Sequence, residues 1–212
     1  RQRQMCIRAG IYSITKVANS INWKKLKDCE GYVNYDIVER LIALTNTNKG
    51  TRKENYWKLD NQIVVQSGVS EVAVYVLPFL NEFIKISSYR DYLLDLLFEI
   101  IEGNDIFSNG SYVETSVTIH NTPFVFSKTE NTELNRVTAI IDDYIKKQYK
   151  TYIDLLFEVK TIYELNVLLD ILLGFNDMVS KMYLKTIYPK VKNISTESFK
   201  YLLNKYEEEL LE

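Results

Sequence analysis

Glycine and proline are scarce in this chain, at 7 and 3 of 212 residues. A β-sandwich or β-barrel needs turn residues every few positions, so an all-β fold is excluded. Histidine occurs once, as His120, and cysteine twice, as Cys6 and Cys29. A single histidine leaves no basis for a Ser–His or Cys–His nucleophile pair. No His-x-x-x-His or Cys-x-x-Cys spacing exists to hold a metal ion. Two distant cysteines are too few for a disulfide framework and point to a reducing compartment, so the expectation is a cytoplasmic protein. No apolar run of 18 residues is present, and no membrane span is expected. The first residues, Arg1-Gln2-Arg3-Gln4, carry no apolar signal core, and Met5 is a candidate natural start. No cofactor is implied.

What is abundant is leucine, isoleucine, lysine and glutamate at helical spacing. The periodicity predicts helices over about 11–27, from 34 to the polar run at 45–50, and 51–67. The last of these opens on a Thr51-Arg52-Lys53-Glu54 capping box and turns Tyr56, Leu59, Ile63 and Val64 inward. Ser70 can cap a helix to about Lys85, bent or interrupted at Pro78. Ser88 can cap another over Tyr89–Glu102, with Gly103 placed for a left-handed end. Residues 104–130 break the pattern, with β-like words and a hairpin signal at Asn109-Gly110. Helical spacing returns near Thr132, followed by helices at about 149–159, 162–173, 177–188 and 196–211. Leu93-Leu94-Asp95-Leu96-Leu97 echoes Leu168-Leu169-Asp170-Ile171-Leu172. The offset is about two helix-pair repeats. Paired helices with short links predict an all-α single domain over 1–212, an α-solenoid of helical hairpins with a small irregular or β-like insertion near 104–130.

The charges are segregated. Residues 1–60 hold 12 basic and 6 acidic side chains, residues 61–145 hold 4 and 12, and the remainder holds 10 of each. Such segregation favours a charged macromolecular partner, and the acidic middle argues against nucleic acid there. Asp91, Asp95, Glu99 and Glu102 fall on one helical stripe with no lysine between them. Like charges at i,i+4 cost roughly 0.2–0.5 kcal/mol per pair, a cost that a basic partner relieves. The competing reading is a solvated helix face. Asp142 and Asp143 are candidates to extend the acidic surface, against an ordinary helix exterior. Tyr112 and His120, in the irregular segment, are candidates for partner contact; the bland reading of His120 is a polar loop residue. Trp57 and Leu59 are read mainly as core. Asp60 and Asn61, unfavourable mid-helix, either tie to a neighbouring turn or line a concave surface. The basic first third, with Lys24, Lys25, Lys27, Arg52, Lys53 and Lys58 beside Trp23 and Tyr56, is read as a solvated exterior. It has no glycine-rich phosphate loop, and its charges are spread over several helices.

Several words between Trp23 and Gly103 carry a resemblance: Trp23…Leu26…Cys29, the run Tyr56-Trp57-Lys58-Leu59-Asp60-Asn61-Gln62-Ile63-Val64-Val65-Gln66-Ser67-Gly68, Val76-Leu77-Pro78-Phe79-Leu80 and the Leu93–Ile100 leucine helix. The chain resembles, over roughly 80 residues, the HEAT-like helical proteins encoded beside bacterial polymorphic toxins, including contact-dependent inhibition systems. The resemblance implies an immunity protein that binds and neutralises a cognate toxin domain in the cytosol. It implies no catalytic residue. The acidic middle suggests that the toxin domain is basic, as nucleases are. The alternatives are a HEAT-like protein–protein adaptor unrelated to toxins and, less favoured because its groove would have to be basic, a HEAT-like DNA glycosylase.

Overall fold

A computed structural model describes residues 2–105, 115–119, 122–126 and 132–174. Its elements are α1 (Gln2–Ala18), α2 (Ile37–Ala43), α3 (Lys49–Ile63), β1 (Val64–Val65), β2 (Gly68–Val69), α4 (Glu71–Ile86), α5 (Asp91–Ile101), β3 (Thr115–Ile119), β4 (Thr122–Phe126), α6 (Val137–Leu156) and α7 (Ile162–Gly174). Short 3₁₀ turns occupy Trp23–Lys25 and Thr132–Asn135. The described part is thus mostly helical, with two two-stranded antiparallel sheets. The chain forms two compact units, 1–142 and 143–212, and the boundary falls inside α6.

Local chemistry decides where each helix begins and ends. α1 stops at Ala18, well short of the predicted 27, because side chains take its last carbonyls. The Trp23 indole Nε1–H donates to Ala18 O at 2.9 Å and Ser20 Oγ donates to Val17 O at 2.6 Å. α2 is capped by Asp36, whose carboxylate accepts from Glu39 N at 2.9 Å. α3 begins one turn before the predicted capping box. Asn48, not Thr51, is the N-cap and accepts from Thr51 N at 3.2 Å, while Glu54 pairs with Lys58 at 2.5 Å instead of folding back. Ser70 does precede α4, but its hydroxyl donates to Ile63 O at 3.1 Å, tying α4 to the end of α3. α4 runs unbroken through Pro78. α5 begins at Asp91, later than predicted, since Ser87 rather than Ser88 organises the turn by donating to Tyr89 O and accepting from Tyr89 N.

Between α3 and α4 the chain makes a hairpin that the helical periodicity did not show. Val64 pairs with Val69 and Val65 with Gly68, around a turn of Gln66 and Ser67 with φ of 49° and 62°. Positive φ at both central residues makes this a primed turn. Asn104, just after α5, joins it: Asn104 N donates to Ser67 O at 2.7 Å and Val69 N to Asn104 O at 2.8 Å. Gly103 is required here for space, not for a left-handed end. A Cβ at that position would overlap Val69 Cγ1.

The core of the first unit is built on α4 and α5. Val72, Val76, Leu77, Phe79, Leu80 and Phe83 of α4 and Leu93, Leu94, Leu96, Leu97 and Ile100 of α5 are buried. Each such side chain contributes roughly 1.5–3 kcal/mol over the exposed state. α3 buries Arg52, Tyr56, Leu59 and Ile63, spaced i, i+4, i+7 and i+11, and packs against both α2 and α5. The insertion is β-like as expected. β3 and β4 pair from Thr115 with Phe126 to Ile119 with Thr122, burying Val117, Ile119 and Phe124 and exposing Val125. The Asn109-Gly110 signal lies outside the described residues.

Where two helices were predicted after Thr132, α6 is a single helix of 20 residues. In the second unit Tyr149, Tyr152, Ile153, Leu155 and Leu156 are buried, as are Leu165, Leu168, Leu169, Ile171 and Leu172 of α7. Thr161 and Glu164 make the cap of α7: Thr161 Oγ1 accepts from Glu164 N at 3.1 Å and Glu164 Oε2 accepts from Lys160 N at 3.0 Å. The predicted helices at 177–188 and 196–211 lie outside the described residues.

Candidate protein-binding site

Three residues of the charged stripe predicted on α5, Asp91, Asp95 and Glu99, lie along the seam between α5 and α3. Contacts advance together along both helices. Arg52 meets Asp91, Tyr56 meets Tyr92 with ring centroids 5.4 Å apart, and Asp60 feels the charges of Glu99 and Asp95. Two helices whose contacts advance in step run parallel. Cross-strand hydrogen bonds of the short hairpin and the Ser70 tie fix where α3 ends relative to α4.

The N-terminal end of the seam is neutralised. Arg52 is buried, and its Nε and Nη2 donate to Asp91 Oδ1 and Oδ2 at 2.9 and 2.8 Å. Its Nη1 donates to the Asn46 and Thr47 carbonyls at 2.8 and 3.1 Å, and its guanidinium carbon lies 4.7 Å from the Tyr89 ring centroid. Asp91 therefore serves the fold, also placing a negative charge at the positive end of α5. The sequence stripe lacks an interleaved cation, but α3 supplies one from 39 residues away.

The C-terminal end is acidic. Asp60 is half-buried, and its carboxyl is pushed up to about 6, first by desolvation and then by the charges of Glu99 and Asp95. Glu102 is exposed at the C-cap of α5, where a carboxylate opposes the helix dipole. So of the four stripe residues, Asp95 and Glu99 converge on Asp60, Asp91 is engaged by Arg52, and Glu102 lies beyond the helix end. Asp142 is exposed on α6, in the last position of the first unit. Asp143, in the second unit, pairs with Lys147 at 2.6 Å. Tyr112 and His120 lie outside the described residues.

Trp57 departs from its predicted place. It is 49% exposed, not core, with its ring edge-on to Tyr56 at 5.1 Å between centroids. It stands one helical turn before Asp60, so an exposed indole borders the acidic end of the seam. Leu59 is fully buried, as read. Asn61 is exposed.

Elsewhere the first unit has an open cleft of about 480 Å³, lined by residues that include Asn19, Asn22, Trp23, Lys24, Tyr35 and Asp36. None of the predicted contact residues lies in it. Cys29 is a free thiol whose Sγ sits 3.5 Å from Ile63 O, and burial pushes its pKa up to about 11, which suits a packing role. Among the described residues no group of three or more His, Cys, Asp or Glu is arranged to hold a metal ion. No helix among them is long and apolar enough to cross a membrane. The seam thus offers negative charge and aromatic surface. No protein-family model, curated protein or solved structure matches the chain.

Proposed function

We propose that the chain is a cytoplasmic immunity protein that binds a basic toxin domain through the α3–α5 seam and neutralises it without catalysis. The observation that carries this reading is the convergence of Asp60, Asp95 and Glu99 from two helices on one half-buried acidic spot. Carboxylates held together in this way repel one another in the free protein, and a cationic partner relieves the repulsion. The resemblance of the Trp23–Gly103 words to toxin-linked HEAT-like proteins supplies the class of partner. The parallel run of α3 beside α5, with α4 between them in sequence, supports a HEAT-like stack of helical hairpins. Tyr112 and His120, which lie outside the described residues, remain proposed partner contacts.

The test is protection of cells that express the toxic C-terminal domain of a large exported protein encoded beside this chain's gene. The parent chain is expected to protect, and Asp95→Lys combined with Glu99→Lys is expected to lose protection while keeping the helical circular-dichroism spectrum. Failure of the parent to protect against that domain, or full protection by the reversed variant, overturns the reading.

A further inference from the structure

Between α1 and α2 the chain doubles back on itself. Lys27 pairs with Tyr32 as an isolated bridge, and Val33 N donates to Leu26 O at 3.0 Å. Asp28 Oδ1 closes the turn by accepting from Glu30 N and Gly31 N at 2.8 and 2.9 Å. Residues 34–38 and 19–24 together line the open cleft of about 480 Å³. That volume falls within the roughly 300–1,000 Å³ of small-ligand sites. Three carboxamides are in its lining, those of Asn19, Asn22 and Asn34. Asn22 is the N-cap of the Trp23–Lys25 turn, yet its side chain makes no capping bond. Among the described residues, no hydrogen bond engages the side chain of Asn19 or Asn34 either. Tyr35, also in the lining, has a buried hydroxyl with no hydrogen-bond partner.

The lining also narrows the class of ligand. Trp23 is buried, its Nε1–H is spent on Ala18 O, and its ring meets Phe79 edge-on. One face of the Tyr35 ring is covered by the Arg40 guanidinium, 4.2 Å from the centroid. A nucleobase or a sugar would find little aromatic surface to stack on. Among the lining residues Lys24 is the one cation and Asp36 the one carboxylate, so there is no excess of charge to select a phosphate. One oxygen of Asp36 is already taken, since Oδ1 accepts from Glu39 N. What remains is neutral donor–acceptor groups beside the apolar Ile21 and Val38. A carboxamide offers both a donor and an acceptor, matching the N–H and C=O of a peptide unit.

We propose that this cleft binds an extended peptide segment of a protein partner through its main chain, with N–H and C=O groups of the segment paired to the carboxamides of Asn19, Asn22 and Asn34. A small apolar side chain of the segment rests against Ile21 and Val38. Main-chain hydrogen bonds supply the affinity, and that apolar contact supplies a preference for small aliphatic residues. The site goes beyond the proposed function: no residue of the α3–α5 seam lies in the cleft.

The probes are three neutral compounds titrated against the full chain: the acetylated and amidated tripeptide Ala-Val-Ala, a tripeptide of sarcosine blocked in the same way, and maltotriose. The readout is the side-chain NH₂ resonances of the asparagines in a ¹⁵N-labelled sample. Ala-Val-Ala is expected to shift the Asn19, Asn22 and Asn34 signals saturably. The sarcosine peptide keeps the carbonyls but has a methyl on each of its three residue nitrogens, and it is expected to bind about fivefold or more weakly. Asn22→Ala with Asn34→Ala is expected to weaken Ala-Val-Ala by about fivefold or more with an unchanged circular-dichroism spectrum. Asp95→Lys with Glu99→Lys is expected to leave that affinity unchanged, which separates the cleft from the seam. No saturable shift of the three signals, equal binding of the sarcosine peptide, tighter binding of maltotriose, or undiminished affinity in the asparagine double variant overturns the peptide site. The comparison of the two peptides needs no variant, so it decides the matter even where the double variant fails to fold.

Discussion

Arg52 and Asp91 are joined at two points, Nε to Oδ1 at 2.9 Å and Nη2 to Oδ2 at 2.8 Å, across the seam between α3 and α5. The guanidinium keeps 5% of its side-chain exposure and the carboxylate 25%, so removal of Asp91 strands a buried cation. Breaking a fully buried pair costs about 3–5 kcal/mol. Partial exposure of Asp91 lowers the expected loss for Asp91→Ala to about 2–3 kcal/mol, read as a lower urea midpoint at unchanged m. Arg52→Met combined with Asp91→Ala should lose less than the two single variants added together, because the stranded charge is gone. Strict additivity would mean that the pair contributes no coupling.

Asp60 sets a pH dependence of the opposite sign to the usual carboxylate. Its pKa rises from an ordinary 3.8 to about 6 on folding, so between these values the folded chain binds a proton that the unfolded chain does not. Stability contributed by this group is present below about pH 4 and is lost as pH rises through 6. Asp60→Asn is therefore expected to raise the thermal midpoint at pH 7.5 and to flatten its fall between about pH 4 and 6. A variant with the parent's slope over that interval would show that another group titrates there.

Gly103 touches a different kind of limit, that of space. A methyl group there meets Val69 Cγ1 inside van der Waals contact. Gly103→Ala is expected to cost about 1–3 kcal/mol by overpacking. Val69→Ala in the same chain should recover part of that loss, since it deletes the atom in the way. Urea unfolding of the single and double variants measures the recovery; a double variant less stable than Gly103→Ala alone by the full cost of Val69→Ala would exclude the steric account.

These relationships differ in how far the sequence announces them. The leucine periodicity of 93–100 and the serine before Glu71 are local signals, and α5 and α4 lie close to where those signals put them. The end of α1 depends on an indole five residues beyond it reaching back to Ala18 O, and no local propensity encodes that bond. Trp57, a core residue on the sequence reading, is exposed. It stands about 100° around the helix from Tyr56, off the buried stripe of Arg52, Tyr56, Leu59 and Ile63, a periodicity that was already legible. The engagement of Asp91 was not legible. Its partner is 39 residues away, and four acidic residues at helical spacing read as one stripe until a neighbouring helix neutralises the first.

The Gln66-Ser67 turn is the one described place where two adjacent non-glycine residues hold positive φ, 49° and 62°. For an L-residue with a Cβ this region costs roughly 1–2 kcal/mol relative to right-handed backbone, less for asparagine and nothing steric for glycine. The two-residue link between Val65 and Gly68 admits only a tight primed turn, so the conformation is imposed by the pairing of Val64 with Val69 and by Asn104, which grips the Ser67 carbonyl from outside the hairpin. Replacing Gln66→Asn together with Ser67→Gly leaves that carbonyl and both strand pairs in place while removing the strain. The double variant is expected to be more stable by about 1 kcal/mol, a rise of roughly 2–4 °C in Tm. Calorimetry measures it directly. A Tm at or below the parent's would mean that the Gln66 or Ser67 side chain makes a stabilising contact worth at least as much as the strain it imposes.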